Sequence, residues 1–254
     1  MKKKSYLALL LAVLMVVSIL TGCGAKEPAE STITEAPSKT PTEAPTEAPT
    51  EAPAEAPVEA PVEAPAEEEK SNFALGRMEG GVYTNTYAGF GCTLDSNWQF
   101  YTAEELQELP ASTEELLDEN GLGNYTQITD MMAENTVNYS SINVLYTQIS
   151  LAERMQYAVM SEEDIIDMTL SQVQTLTDVY AQAGIDVISM DKVTVNFLGE
   201  ERFAIMTTAE IQGYPYYILQ VLDFHAGAYG VTLTLSCLFE DTSADLLGLF
   251  YTVE

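Results

Sequence analysis

From Asp186 to Phe239, apolar and polar residues alternate in four successive runs, with Gly199, Gly213 and Gly227 between them. A period of two puts successive side chains on opposite faces of a sheet, and glycine permits the tight reversals. The pattern therefore predicts an antiparallel meander of four strands, Asp186 to Phe197, Arg202 to Ile211, Tyr214 to Phe224 and Tyr229 to Phe239. The last strand should turn Val231, Leu233, Leu235, Cys237 and Phe239 inward. Its other face carries Thr232, Thr234 and Ser236, polar but uncharged, which predicts a second face partly covered by a helix.

A helix is also predicted just upstream of the meander. Ser161 with Asp164 reads as a capping box, and Ile166, Thr169, Leu170, Val173, Leu176 and Tyr180 follow at helical spacing until Gly184, so one long amphipathic helix is expected. Thr102 with Glu105 and Ser112 with Glu115 mark two shorter starts separated by Pro110. Val82 to Tyr87 and Gly89 to Leu94 read as two strands running up to Trp98, and Asp130 to Glu134 and Ile142 to Ile149 as two more around a turn at Asn138 to Ser141. Ser243 to Tyr251 reads as a short closing helix with Leu246, Leu247 and Phe250 on one side. The fold class expected is α+β, an antiparallel sheet with a C-terminal four-strand meander flanked by helices.

The N-terminus follows other rules. Lys2, Lys3 and Lys4 precede an apolar run from Tyr6 to Leu20, the layout of a secretory leader. That run is shorter than the ~20 residues needed to cross a bilayer as a helix. Leu20-Thr21-Gly22-Cys23 closely resembles the bacterial lipobox, where small residues admit the signal peptidase and the cysteine thiol takes up diacylglycerol. The resemblance implies a signal peptide over 1–22, lipidation at Cys23 and anchoring to the membrane, with the outer face of a Gram-positive-like cell as the destination. A multiply acylated cysteine holds a protein on a bilayer stably, where one myristoyl chain does not.

Residues 23–70 are read as the lipidated cysteine and a stalk: from Glu27 to Lys70 the composition turns to Glu, Ala, Pro and Thr, and Glu-Ala-Pro recurs every four residues from Glu43 through Pro65. Proline at that spacing removes backbone donors and breaks any helix once per turn, so this segment is expected to be a disordered, extended stalk with a reach on the order of 130 Å. The remainder, 71–254, is long enough for a single globular domain. Its basic residues are Arg77, Arg154, Lys192 and Arg202, and the whole chain carries a formal charge of -29. A polyanion is bound by clustered cations that displace its counterions, so nucleic acid is excluded as a partner.

Tyr83, Asn85, Gly89-Phe90, Leu94 and Trp98, the strand holding Val144 and Tyr146, the helix from Glu162, the segment Leu198-Gly199-Glu200-Glu201 and the closing meander together resemble the PsbP/Mog1-like α/β/α sandwich found in bacterial lipoproteins. The likeness runs from about Gly81 to the C-terminus and rests on packing and turn residues. It implies a fold and, through the family's usual roles, a binding or assembly module. It carries over no catalytic residue.

Chemistry is sparse. The single histidine, His225, lies at a strand end beside Asp223, which leaves zinc sites of the His-rich kind and HExxH helices unsupported; no GxSxG elbow or phosphate-binding glycine loop is present. Glu104, Glu105 and Glu108, and Glu162, Glu163, Asp164 and Asp167, cluster at helix starts, where acids suit the helix dipole; a carboxylate pair for glycan hydrolysis or a loose calcium site stays open as an alternative. Cys92 and Cys237 fall on inward strand positions, as two buried thiols or a bridge. Tyr83, Tyr87, Tyr125, Tyr214, Tyr216 and Tyr217 are candidates for a ligand-stacking surface, with sheet packing as the plainer role. No catalytic, metal or cofactor-binding residue is predicted. The expected function is a membrane-anchored, non-enzymatic binding or assembly module acting on a protein partner, with a small-molecule or metal-binding accessory role and a carboxylate-type glycan hydrolase as alternatives.

Overall fold

The computed structural model describes residues 73–108, 127–224 and 227–253. The leader, Cys23, the stalk, Pro110, Ser112, Glu115, Tyr125 and His225 lie outside the described residues.

The described chain is α+β, and every strand pairing in it is antiparallel. Its elements are β1 (Arg77–Glu79), β2 (Val82–Asn85), β3 (Phe90–Thr93), β4 (Trp98–Phe100), α1 (Ala103–Glu108), β5 (Gln127–Asn135), β6 (Ser141–Gln148), α2 (Leu151–Tyr157), α3 (Glu162–Leu170), α4 (Val173–Gln182), β7 (Ile185–Phe197), β8 (Glu200–Ile211), β9 (Tyr214–Asp223), β10 (Tyr229–Leu238), α5 (Ser243–Leu247) and β11 (Phe250–Thr252). Seven strands form one sheet in the order β4-β5-β6-β10-β9-β8-β7, and β1-β2-β3-β11 form a second. The predicted meander is the continuous half β7 to β10.

Two of its reversals have two-residue loops in which both central residues adopt left-handed backbone: Leu198 (φ 57) with Gly199 (φ 86), and Gln212 (φ 54) with Gly213 (φ 79). This is the hairpin geometry whose twist matches that of the strands, and it needs glycine at the second position more than a side chain.

The large sheet buries both faces. On one, Val231, Leu233, Leu235 and Cys237 join Val144, Tyr146 and Leu219, with Tyr83, Phe90 and Phe250 from the small sheet and Leu246 and Leu247 from α5. On the other, Ile205, Ala209, Ile218 and Leu222 meet Ile165 and Ile166 of α3 and Leu176, Val179 and Tyr180 of α4. Helices thus flank both faces, and a separate small sheet shares the first, a layer the periodicity did not distinguish from the main sheet.

Four local readings need correction. The long helix is two: the Ser171 hydroxyl donates to the Met168 carbonyl at 2.6 Å, and Gln172 leaves helical backbone (φ -106, ψ 20), because a serine hydroxyl competes for the helix's own carbonyls. Trp98 does not end the second strand; it begins β4, at the far edge of the other sheet. Phe239 is not inward. It sits just past β10 with φ 75 and is 52% exposed, so the alternation stops at Cys237. The C-terminal run forms a helix only to Leu247, after which Phe250–Thr252 pairs with β3.

Candidate functional site

The acids at the start of α3 are engaged with the protein itself. Asp164 closes a capping box, accepting from the Ser161 backbone at 3.1 Å and from its hydroxyl at 2.6 Å, and these bonds hold its carboxyl below the ordinary range. Glu163 and Asp167 each hold Lys192 of β7 at 2.8 Å, which raises the lysine above its usual value. Glu162 pairs with Arg202 and also accepts from the backbone N–H of Phe203 at 3.0 Å. The β8–β9 register ends at Ala204 opposite Val221, so the Phe203 N–H lies past it and uses this carboxylate as its acceptor. Glu105 caps α1 through Thr102. Among the described residues no group of three or more His, Cys, Asp or Glu is arranged to hold a metal ion.

A buried polar assembly that no local sequence pattern marks is centred on Asp130. β5 bulges between Thr129 and Met131, leaving Asp130 out of the ladder with β6. Its carboxylate accepts from the Gly76 N–H at 2.8 and 3.0 Å, from the Tyr83 hydroxyl at 2.6 Å and from the Asn85 amide at 2.7 Å. Asp130 is 5% exposed. Burial pushes its carboxyl above the ordinary range, and the three donors pull it back. Burial, then the charge of Asp130, raises Tyr83. With its acceptors filled and water excluded, this carboxylate joins the small sheet to the large one and offers nothing to a substrate.

The tyrosines divide accordingly. Tyr83 belongs to that network. Tyr87 donates to the Tyr229 carbonyl at 3.0 Å and accepts from its N–H at 3.1 Å, within an aromatic cluster that includes Phe73 and Tyr146. Tyr216 is buried and Tyr217 half-buried in the sheet. Tyr214 alone of the described candidates is largely outward, 53% exposed, its ring edge-on to Phe239 at 5.3 Å.

Cys92 and Cys237 are both free and buried. Cys237 accepts from the Thr242 hydroxyl at 3.4 Å, and burial pushes the Cys92 thiol up to about 12. Only a thiolate alkylates at a useful rate. Native protein is therefore expected to leave Cys92 unmodified by iodoacetamide at pH 8, while urea-unfolded protein takes up label there. Rapid labelling of folded protein, followed by peptide mass spectrometry, would refute this.

A cavity of about 40 Å³ lies between Phe90, Phe197, Val221 and Leu233, with Arg202 and Asp223 at its rim. That holds a water or two, far below the ~300 Å³ at which small-molecule pockets begin. Outward apolar side chains are more prominent. Leu151 and Met155 of α2 and Val159 in the turn beyond it are 66%, 68% and 85% exposed, a stripe at i, i+4 and i+8. The element carrying it is fixed: Ser150 and Glu153 form a complete capping box, and buried Tyr157 packs on Phe224 with ring centroids 5.2 Å apart. The sequence signal for α2 was Ser150-x-x-Glu153, identical in kind to the one that revealed α3.

No protein-family model matches the sequence, and no curated protein matches it. Among solved structures the chain is similar to the solution structure of cyanobacterial PsbP (CyanoP) from Synechocystis sp. PCC 6803, at 11% identity and a TM-score of 0.38, over 72% of this chain and 96% of that one.

Proposed function

We propose that this chain is a non-enzymatic binding or assembly module, anchored at the outer face of the cell membrane through a lipid on Cys23, and working by contact with another protein. The leader, the lipobox-like Leu20 to Cys23 and the proline-spaced stalk support the placement. The single observation that supports the mode of action is the stripe Leu151, Met155 and Val159, apolar side chains 66%, 68% and 85% exposed along a firmly capped helix and the turn that follows it. Exposed apolar residues are ordinary when scattered; aligned on one rigid element they suit a partner's groove. Of the acids that a hydrolase reading draws on, Glu105 and Asp164 cap α1 and α3, and Glu162, Glu163 and Asp167 tie α3 to β8 and β7.

In-cell crosslinking of the intact chain tests the reading. A reproducible protein adduct is expected for the parent and is expected to fall at least tenfold in Leu151→Glu/Met155→Glu, whose substitutions sit on exposed positions and leave the fold intact. Cys23→Ala is expected to release the chain from the membrane fraction. An adduct that persists unchanged in the double variant defeats the assignment of the surface, and Cys23→Ala protein that stays membrane-bound like the parent defeats the placement.

A further inference from the structure

The edges of the two sheets are guarded unequally. β1, β4 and β11 are edge strands of three residues each, and brevity alone makes them poor templates for another strand. β7, the remaining edge, runs for 13 residues, and among the described residues β8 is its one strand partner. Of β7 only Ile185 and Phe197 are buried, whereas β10, inside the same sheet, buries everything but Tyr229 and Leu238.

The usual deterrents to pairing are weak along this edge. It has no proline, its one bulge lies near its start at Ile188, and the ladder from Ser189 to Phe197 is regular. Its single lysine, Lys192, is bent over the helix-side face, where Glu163 and Asp167 of α3 each hold the ammonium at 2.8 Å.

The hairpin determines which backbone groups are open. Its two-residue loop makes Phe197 and Glu200 a hydrogen-bonded pair, and such pairs alternate with pairs whose N–H and C=O turn away from each other. Thr194 opposite Phe203 is of the second kind. Phe203 agrees: its N–H leaves β7 behind and donates to Glu162 at 3.0 Å. Met190, Lys192, Thr194 and Asn196 therefore present their backbone donors and acceptors along the open edge.

Side chains select the occupant. Val193 and Val195 pack toward the small sheet, so Lys192, Thr194 and Asn196 stand on the α3 side, with Glu163 and Asp167. Those two carboxylates are about half exposed and share one lysine, which leaves negative charge uncompensated, and Asp186 and Asp191 add two exposed acids on β7 itself. A strand added about 5 Å further out turns alternate side chains to that same side, within a lysine's reach of the α3 acids. A second copy of this chain, with its net charge of -29, would bring like charge to like.

We propose that β7 accepts an extended cationic segment of a partner protein as an added antiparallel strand, paired through Met190, Lys192, Thr194 and Asn196, with lysine or arginine side chains beside Glu163 and Asp167. The main chain supplies affinity and the acids select the sequence. This surface is distinct from the α2 stripe, and either can fail without the other.

The probe is an acetylated, amidated peptide of four Lys-Val repeats, titrated into the full chain at about 0.15 M salt, where charges beyond about 8 Å are screened. Saturable binding by calorimetry is expected, with hydrogen exchange at the amides of Lys192, Thr194 and Asn196 slowed at least tenfold. Glu-Val repeats are expected to bind at least tenfold more weakly. In an antiparallel pair the peptide's lysines, opposite Lys192 and Thr194, are the residues whose N–H groups face β7, and its valines face solvent. Backbone N-methylation at the lysines, which keeps every charge, should therefore weaken binding at least tenfold, and N-methylation at the valines should not. Thr194→Pro removes an outward donor at an edge position that tolerates proline, and is expected to keep the melting temperature within a few degrees while weakening the peptide at least tenfold. The peptide arms need no change to the protein and decide the matter if that variant fails to fold. No saturable binding overturns the proposal. So does equal binding of the lysine-methylated peptide, which would reduce the contact to charge alone. Protection of the same amides without peptide, growing with protein concentration, would place a second copy on the edge and also overturns it.

Discussion

Asp130→Leu is expected to lower the unfolding free energy by about 3–5 kcal/mol, read from the urea midpoint at constant slope. The carboxylate is the common acceptor for the Gly76 N–H, the Tyr83 hydroxyl and the Asn85 amide. Tyr83 is fully buried and Asn85 nearly so, and their donors have no water to turn to once the acceptor is removed. Removing one partner of a buried network leaves the others desolvated and unpaired, which is why the loss exceeds that of a single surface hydrogen bond. Asp130→Asn keeps the shape and one acceptor oxygen, and its loss is expected to be smaller. A pH series separates charge from shape. The folded carboxyl lies above its unfolded value because burial outweighs the donors. The stability it contributes is therefore fully present below the unfolded value and is lost as pH rises through the folded one. Parent minus Asp130→Asn should accordingly decline from acid toward neutral pH. A difference that rises with pH would mean that the donors, and not burial, govern this carboxylate.

Asp130 also shows where the sequence stopped being legible. Its neighbours Met131 to Ala133 announce a strand, and the strand is there, but no periodicity reveals that β5 bulges at Asp130 and turns a carboxylate into the interface between two sheets. Long-range partners, 45 to 54 residues away, are invisible to a local pattern. The meander was legible for the opposite reason: β7 to β10 pair with their immediate neighbours in sequence, so alternation and turn glycines determine both the strands and their order. The polar row Thr232, Thr234, Ser236 calls for a covered face, and each of the three is at most 1% exposed, while α3 and α4 pack over the neighbouring strands β7 to β9. What was not legible was that Asn143 and Gln220 extend it across three strands, because the register sets Asn143 of β6 opposite Thr234 of β10, 91 positions on, and Thr234 opposite Gln220 of β9. The acid cluster on α3 was located from sequence and given a dipole role. Its ties to Lys192 and Arg202 depend on where β7 and β8 pass beneath it.

Gly91→Ala is expected to destabilise the fold by about 3 kcal/mol, at the upper end of what overpacking a core does. Gly91 lies in β3 between Thr84 of β2 and Tyr251 of β11. A Cβ there meets the Tyr83 carbonyl oxygen at 2.6 Å and the Tyr251 ring at 3.0 and 3.1 Å. The ring belongs to a side chain 39% exposed and can swing away; the carbonyl cannot. Tyr83 is held from both ends, its backbone in the ladder with Cys92 and its hydroxyl by Asp130 at 2.6 Å. Relieving the clash therefore requires the small sheet to open or the Asp130 network to shift. Gly89→Ala is the control: its φ of 74 is strained for alanine but nothing lies within 4 Å, so about 1 kcal/mol is expected from backbone alone. The two contacts at Gly91 are distinguished by a double variant. Adding Tyr251→Ala to Gly91→Ala should restore little, because the backbone oxygen remains. Substantial recovery in chemical denaturation would assign the obstruction to the ring and remove the rigid link between β2, β3 and Asp130 on which the expected magnitude depends.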